Sequence, residues 1–144
     1  MLGKIAVLGC GSWGRNLVRN FHQILGPDQV ICCDQSQHIQ DEMASVYPGI
    51  QVVGDVQDIW SDESVRAVAI ATPVFSHANL ARDSLISGTH VLVEKPLWAD
   101  KGNVILDLEN LAKKKEVVCY TAYNHRFEPH FVQMHDLISS GDLG

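Results

Sequence analysis

The sequence predicts an α/β fold in which helices cover both faces of a doubly wound parallel sheet. Short apolar runs alternate with longer segments of helical periodicity, as in successive βαβ units. The apolar runs show almost no alternation with polar residues, which is typical of parallel strands buried on both faces. The chain has 144 residues, of which 46% are hydrophobic, enough for a substantial core. No repeat or linker interrupts the pattern, so one domain is predicted over residues 1–144.

Six short apolar runs are predicted to form the strands of this sheet. They are KIAVL (4–8), VICCD (30–34), QVV (51–53), AVAIATP (67–73), HVLVEKP (90–96) and VVCYT (117–121). Helices are predicted between them, where apolar residues recur every three or four positions. Two predicted helices cover residues 36–46 and about 76–87. Three others are marked by their apolar residues: the first by Trp13, Leu17, Phe21, Ile24 and Leu25, the fourth by Val104, Leu108, Leu111 and Ala112, and the last by Phe131, Met134 and Ile138 before Gly141.

The charge and hydropathy of the chain exclude several classes of partner. The net charge is −6 and the sequence pI is about 5.5. The only basic cluster, residues 113–115, is typical of the solvated end of a helix, so we expect no nucleic-acid partner. No apolar run approaches the roughly 20 residues that cross a membrane, and the N-terminus enters a strand pattern at once. We therefore expect a cytoplasmic protein with no membrane partner.

The cysteines and histidines do not predict a metal site. The four cysteines lack C-x-x-C spacing, and three of them lie in apolar, strand-like runs; they are Cys10, Cys32, Cys33 and Cys119. Buried free thiols are therefore favoured over ligands or a disulfide. No two of the seven histidines show H-x-x-x-H spacing, and His130 and His135 would face different sides of a helix.

Three glycines follow the first strand and precede the first helix, in the pattern G-x-G-x-x-G. In this context Gly9 permits a tight turn, and Gly11 lets the backbone approach a pyrophosphate. Gly14 lets the helix pack closely on the strand, and the N-terminus of that helix offers free N–H groups and the positive end of its dipole. The pattern predicts a dinucleotide-binding turn of the Rossmann type.

An acidic residue stands where such a site needs one. Asp34 ends the second strand, 20 residues after Gly14, where a carboxylate can bind the hydroxyls of the adenosine ribose. Residues 35–38 are Gln, Ser, Gln and His and include no arginine or lysine for a 2′-phosphate. The sequence therefore favours NAD over NADP.

Polar residues also end the later strands, at the edge where ligands of open α/β sheets bind. Thr72 and Pro73 end the fourth strand, and Glu94 and Lys95 stand near the end of the fifth. A lysine at this point can exchange a proton with a substrate hydroxyl. A surface ion pair that caps the strand is an equally good interpretation of the pattern alone.

These motifs together resemble the N-terminal domain of the glucose–fructose oxidoreductase/inositol dehydrogenase (Gfo/Idh/MocA) family. The matching segments cover the whole chain; they are GCGSWG, ATPVFSH, SGTHVLVEKPL, NHRF and ISSGDLG. The resemblance implies an NAD(P)-dependent oxidoreductase that transfers a hydride to or from the CH–OH carbon of a sugar, cyclitol or nucleotide-sugar. The segment GSWGRNLVRNF is also similar to members that act on nucleotide-activated sugars.

The family motifs also imply a set of site residues. Lys95 would be catalytic and would reach the reacting hydroxyl. The cofactor would be bound by Gly9, Gly11, Ser12, Trp13, Gly14, Asp34, Thr72, Pro73, His77, Glu94, Pro96, Asn124 and Arg126. Glu94 would contact the ribose beside the nicotinamide, and the Lys95–Pro96 bond is a candidate cis peptide. For His125 two interpretations stay open: it belongs to the site, or it only packs against its neighbours.

The family also has a second domain, which carries an acid/base residue and most substrate contacts. It would begin after Gly144, so we expect the 144 residues to be an isolated cofactor domain, inactive alone, of a protein that forms a homo-oligomer at full length. A naturally short protein is the less favoured interpretation. The alternative function is a non-catalytic NAD(H)-binding module for redox sensing or assembly.

Overall fold

The protein folds around one six-stranded parallel sheet, as predicted. A computed structural model describes residues 3–97 and 103–142. The strands are β1 (Lys4–Leu8), β2 (Val30–Cys33), β3 (Gln51–Val53), β4 (Val65–Ile70), β5 (His90–Val93) and β6 (Cys119–Thr121). Their order in the sheet is β3-β2-β1-β4-β5-β6, and every neighbouring pair is parallel. The order reverses between β1 and β4, which is the point where ligands bind in open α/β sheets.

Within the described residues, six α-helices connect and flank these strands. They are α1 (Gly14–Leu25), α2 (Gln37–Val46), α3 (Val56–Ser61), α4 (His77–Ile86), α5 (Val104–Lys115) and α6 (Pro129–Ser140). The predicted marker Trp13 lies one residue before α1. The sequence interpretation did not include α3, because six residues are too few for a clear helical period; its signal was Asp55, whose Oδ1 accepts the N–H of Gln57 at 2.9 Å.

The core lies on both faces of the sheet, because alternate residues of each buried strand point to opposite sides. On one face Leu8 and Ile70 pack with Leu85 of α4 and Leu108 of α5. On the other face the core includes Val7, Val18 of α1, Cys32 and Met43 of α2. Residues 6–8 of the central strand β1 are therefore buried on both faces, which explains why the strand is apolar after Lys4.

Three strands end earlier than predicted, and the polar residues follow them instead of ending them. The N–H of Ala71 still donates to Leu8 O at 2.8 Å and that of Glu94 to Ile70 O at 2.9 Å. Proline has no N–H to continue the ladder, so the chain turns away at Pro73 and Pro96. Asp34 likewise follows Cys33, the last residue of β2. The strands thus deliver their polar residues to loops at one edge of the sheet.

The sixth strand starts two residues later than predicted. The N–H of Val118 donates to the ring Nδ1 of His90 at 3.0 Å, and Val118 is 57% exposed.

Within residues 3–97 and 103–142, no helix is long and apolar enough to cross a membrane.

Candidate functional site

The glycine-rich turn joins β1 to α1, and two of its glycines are required by the packing of the chain itself. Gly9 has φ +84°, and a Cβ there would lie 2.9 Å from Thr72 N. A Cβ on Gly14 would lie 1.8 Å from the carbonyl oxygen of Gly9. A Cβ on Gly11, in contrast, would meet nothing within 4 Å. The space above Gly11 is therefore open to a ligand that must approach the backbone closely.

The backbone N–H groups after Gly11 are available to such a ligand. In the described part of the chain, the N–H groups of Ser12 and Trp13 have no hydrogen-bond acceptor. The carbonyl oxygen of Gly11 accepts from the backbone N–H and the Nε–H of Arg15, both at 3.2 Å. The guanidinium of Arg15 also donates to both carboxylate oxygens of Glu42. Free donors at the N-terminus of a helix form a ready anion-binding site.

Asp34 lies beside this turn with its carboxylate already oriented. Its Oδ2 accepts the N–H of Cys10 at 2.8 Å, and its Oδ1 accepts the N–H of Ser36 at 2.9 Å. The side chain is half-buried. Since a carboxylate oxygen can accept two hydrogen bonds, each oxygen keeps capacity for a ligand hydroxyl.

Two clefts meet at the end of β4, and both are lined by Thr72. The first has a volume of about 370 Å³, and its lining includes Gly9, Asp34, Thr72, Pro73 and Phe75. The second has a volume of about 420 Å³ and is lined by Trp13, Ala71, Thr72, Val74, His77, Glu94, Lys95, Asn124 and His125. Together they run from the acidic end of β2, past the glycine turn, to the end of β5.

The loop after β5 carries Glu94 and Lys95 into the second cleft. The indole Nε1–H of Trp13 donates to Glu94 Oε1, and the backbone N–H of Lys95 donates to Glu94 Oε2 at 3.3 Å. The Lys95 side chain is exposed. The predicted cis peptide between Lys95 and Pro96 is confirmed.

His77 is buried, with only 2% of its surface exposed, although it borders the second cleft. Its Nε2 is 2.9 Å from the carbonyl oxygen of Thr72, and its Nδ1 is 3.0 Å from that of Pro96. The imidazole thus connects the loops that follow β4 and β5. Pro96 itself contributes this carbonyl and does not line either cleft.

The segment after β6 brings only part of its predicted residues to the cleft. Asn124 and His125 line it, and Nδ1 of His125 is 2.8 Å from Glu128 Oε1. The guanidinium of Arg126 lies 5.6 Å from the ring centre of Phe127 and is outside both linings. His125 therefore lines the cleft, and its exposed ring also lies 5.8 Å from the ring centre of Phe131.

Several residues of the site were missed from the sequence. Among them, Phe75 lines the first cleft and is 74% exposed, and its signal was an aromatic residue two positions after the strand-end segment ATP. Arg15, which holds the carbonyl of Gly11, had no signal beyond its place after the turn.

The cysteines near the site are free thiols, as predicted. The hydrogen-bonding interaction with Cys32, in which the neutral Cys10 thiol is the donor, and burial raise the pKa of Cys10, and burial raises the pKa of Cys33 to about 12. A buried, protonated thiol is a poor nucleophile. Among residues 3–97 and 103–142, no cluster of three or more His, Cys, Asp or Glu side chains could hold a metal ion.

Fold and site together define a Rossmann-type dinucleotide-binding domain. The chain belongs to the Gfo/Idh/MocA oxidoreductase family with an NAD-binding Rossmann fold, whose profile matches residues 3–123. It is 34% identical over 142 residues to the inositol 2-dehydrogenase of Rhodococcus erythropolis, covering 98% of this chain and 41% of the relative. It is 28% identical to the 4-carboxy-2-hydroxymuconate-6-semialdehyde dehydrogenase of a Sphingobium species, covering 97% of this chain and 44% of the relative. The chain thus spans about two fifths of the length of these relatives.

Solved structures give the same fold. GenD2 from gentamicin A biosynthesis, in complex with NAD, superposes with a TM-score of 0.79 at 26% identity, covering 95% of this chain and 40% of that one. The apo scyllo-inositol dehydrogenase from Lactobacillus casei superposes with a TM-score of 0.83 at 20% identity, covering 99% and 42%.

Proposed function

We propose that this chain is the cofactor-binding domain of an NAD-dependent oxidoreductase that acts on the CH–OH group of a sugar, cyclitol or nucleotide-sugar. The second cleft carries the proposal. Glu94 and Lys95 follow β5, the strand next to β4, and they line this cleft together with Trp13 of the glycine turn. A cofactor whose adenosine ribose binds Asp34 and whose pyrophosphate lies on the glycine turn would place its nicotinamide ring beside Lys95.

The described residues fit a dinucleotide along its whole length. The open space at Gly11 admits a pyrophosphate, which the N–H groups of Ser12 and Trp13 would bind. The oriented carboxylate of Asp34 would accept the two hydroxyls of the adenosine ribose. The same carboxylate would repel a 2′-phosphate, so NAD is proposed as the preferred cofactor.

The remaining site residues act at the nicotinamide end. Glu94 would accept a hydroxyl of the nearby ribose, while Thr72, Pro73 and Asn124 border the path. Pro96 and His77 would hold the loop that carries Lys95, through the Pro96 carbonyl and the imidazole. The side chain of Arg126 lies beside Phe127, outside the cleft. We propose that it contacts the cofactor only after it moves away from Phe127.

Lys95 is proposed as the catalytic acid/base. Bound NAD supplies the acceptor for the hydride that leaves the carbinol carbon. As that carbon becomes a carbonyl, the hydroxyl oxygen loses its proton, and neutral Lys95 Nζ would take it. In the reverse direction the ammonium of Lys95 returns this proton to the carbonyl oxygen. The exposed position of Lys95 at the cleft mouth lets its proton exchange with water after turnover.

The substrate class is proposed from the relatives. Several are named inositol 2-dehydrogenases, and the one from Rhodococcus erythropolis aligns with nearly all of this chain. Because the relatives are more than twice as long, the residues that contact substrate are proposed to lie largely outside this domain. The full-length protein is proposed to be a homo-oligomer.

Replacing Lys95 in the complete protein that carries this domain tests the function. A panel of inositols, hexoses and nucleotide-sugars is assayed with NAD, and Lys95→Met should lower kcat by about 10²- to 10⁴-fold with little change in NADH affinity. Lys95→Arg should not restore turnover, because arginine does not readily lose its proton. Lys114→Met, on the exposed end of α5, is the control. Normal turnover by Lys95→Met with a lower melting temperature would instead make Lys95 a strand-capping residue.

A wild-type protein that binds NADH but oxidises no member of the panel would favour the non-catalytic binding module. In that case Lys95→Met should bind NADH as tightly as the wild type. Any change of assembly state that NADH causes in the wild type should also occur in this variant.

A further inference from the structure

The side chain of Trp13 crosses the sheet edge from the glycine turn to the loop after β5. Trp13 follows β1, Glu94 follows β5, and β4 lies between these two strands. The indole Nε1–H donates to Glu94 Oε1 across a sequence separation of 81 residues. This hydrogen bond therefore joins the turn that receives a pyrophosphate to the carboxylate at the other end of the cleft.

The carboxylate of Glu94 is held from two sides. Oε1 accepts the indole N–H, and Oε2 accepts the backbone N–H of Lys95 at 3.3 Å. Each oxygen retains a second lone pair that no group in the described residues uses. A carboxylate fixed in this way presents its free lone pairs to the cleft without losing rotamer freedom when a ligand binds.

Trp13 itself is 51% exposed, and the exposed part lines the second cleft. A half-exposed indole gains little from burial in the domain alone, so its place is not explained by packing of the core. Without the indole N–H, only the backbone N–H of Lys95 would hold the Glu94 carboxylate, and Oε1 would be free to turn toward water.

We propose that Trp13 is a positioning residue, whose indole N–H orients the carboxylate of Glu94 to accept a ribose hydroxyl at the nicotinamide end of the cofactor. This rests on the proposed function of the site. The indole of Trp13 should therefore contribute to the binding of NADH through Glu94, and should not contribute to the binding of the ADP half.

A double-mutant cycle on this chain tests the proposal. The dissociation constants of NADH and ADP are measured by calorimetry for the wild type, Trp13→Phe, Glu94→Ala and the double variant. Phenylalanine keeps an aromatic ring at position 13 but removes the N–H. Trp60→Phe is the matched control, since Trp60 packs in the core and donates to Ser84 Oγ at 3.3 Å, away from both clefts.

Trp13→Phe should weaken NADH by about 3- to 10-fold, the range for one lost hydrogen bond. In the Glu94→Ala background the same change should weaken NADH by less than about twofold, because the partner is gone. ADP, which lacks the second ribose, should bind equally to all variants. An equal loss of NADH affinity in both backgrounds, or an equal loss for ADP, would overturn the positioning role. A wild-type chain that binds neither ligand would instead overturn the proposed function.

Discussion

The carboxylate of Asp34 accepts the backbone N–H of Cys10 at 2.8 Å, which joins the end of β2 to the first residues of the glycine turn. Through this bond one acidic side chain both shapes the turn and stands next to the space above it. The carboxylate is therefore oriented before any ligand arrives. This arrangement can be tested by measuring the preference between cofactors, the stability and NADH affinity of variants of the turn, and the reactivity of the neighbouring thiols.

The first prediction concerns cofactor preference. The chain should bind NADH more tightly than NADPH, because the Asp34 carboxylate attracts ribose hydroxyls and repels a 2′-phosphate. Asp34→Ala should weaken NADH by about 10- to 100-fold, the range for hydrogen bonds to a charged group, and should narrow the gap between the cofactors. Fluorescence titration with both reduced cofactors measures this, and Asp41→Ala, on the exposed side of α2, is the control. Equal or reversed affinities in the wild type would refute this role of Asp34.

The second prediction separates two glycines of the turn. Gly14→Ala should lower the free energy of unfolding by about 2 kcal/mol or more, because its Cβ would lie 1.8 Å from the carbonyl oxygen of Gly9. Gly11→Ala should leave the free energy of unfolding nearly unchanged, since its Cβ meets nothing within 4 Å. Yet Gly11→Ala should weaken NADH by about tenfold or more, because the methyl group occupies the space of the pyrophosphate.

Urea denaturation and NADH titration of both variants provide the measurement. If Gly11→Ala bound NADH normally, the open space at Gly11 would not be the pyrophosphate site.

The third prediction concerns thiol reactivity. The pKa of Cys33 is raised to about 12 from an ordinary 9.0 because the side chain is buried. At pH 8 its thiolate fraction is then roughly a thousandfold lower than that of an ordinary thiol. Only the thiolate reacts, so alkylation of Cys33 in the folded chain should be slower by at least that factor than in urea. Half-buried Cys119, whose pKa is raised by burial alone, should react first.

Iodoacetamide labelling at pH 8, followed by peptide mapping, tests the order of reaction. Rapid labelling of Cys10 or Cys33 in the folded chain would contradict the burial and the raised pKa of these thiols.

The fourth prediction concerns the chain alone. The 144 residues should bind NADH yet produce none from any sugar, cyclitol or nucleotide-sugar, because the relatives carry more than half of their length outside the matched region. Absorbance at the NADH band measures production. Steady turnover by the chain alone would show that the 144 residues contain the complete active site.

The sequence predicted the positions of the site residues better than their contacts. The run at β1 was predicted with its observed bounds because Gly9 ends it and the four residues after Lys4 are all apolar, as in a strand buried on both faces. Asp34 and Glu94 were placed at one edge because parallel strands all end there. The bond from Trp13 to Glu94 joins residues 81 apart and depends on a side-chain rotamer, which no local pattern encodes. For the same reason the position of Arg126 over Phe127 was not foreseen.

A crystal structure of this chain with bound NADH tests the proposed site most directly. The pyrophosphate should lie on the N–H groups of Ser12 and Trp13, the adenosine ribose on Asp34, and the nicotinamide ring in the second cleft within reach of Lys95. A nicotinamide ring bound away from Lys95, or a pyrophosphate bound away from the glycine turn, would contradict the proposed site.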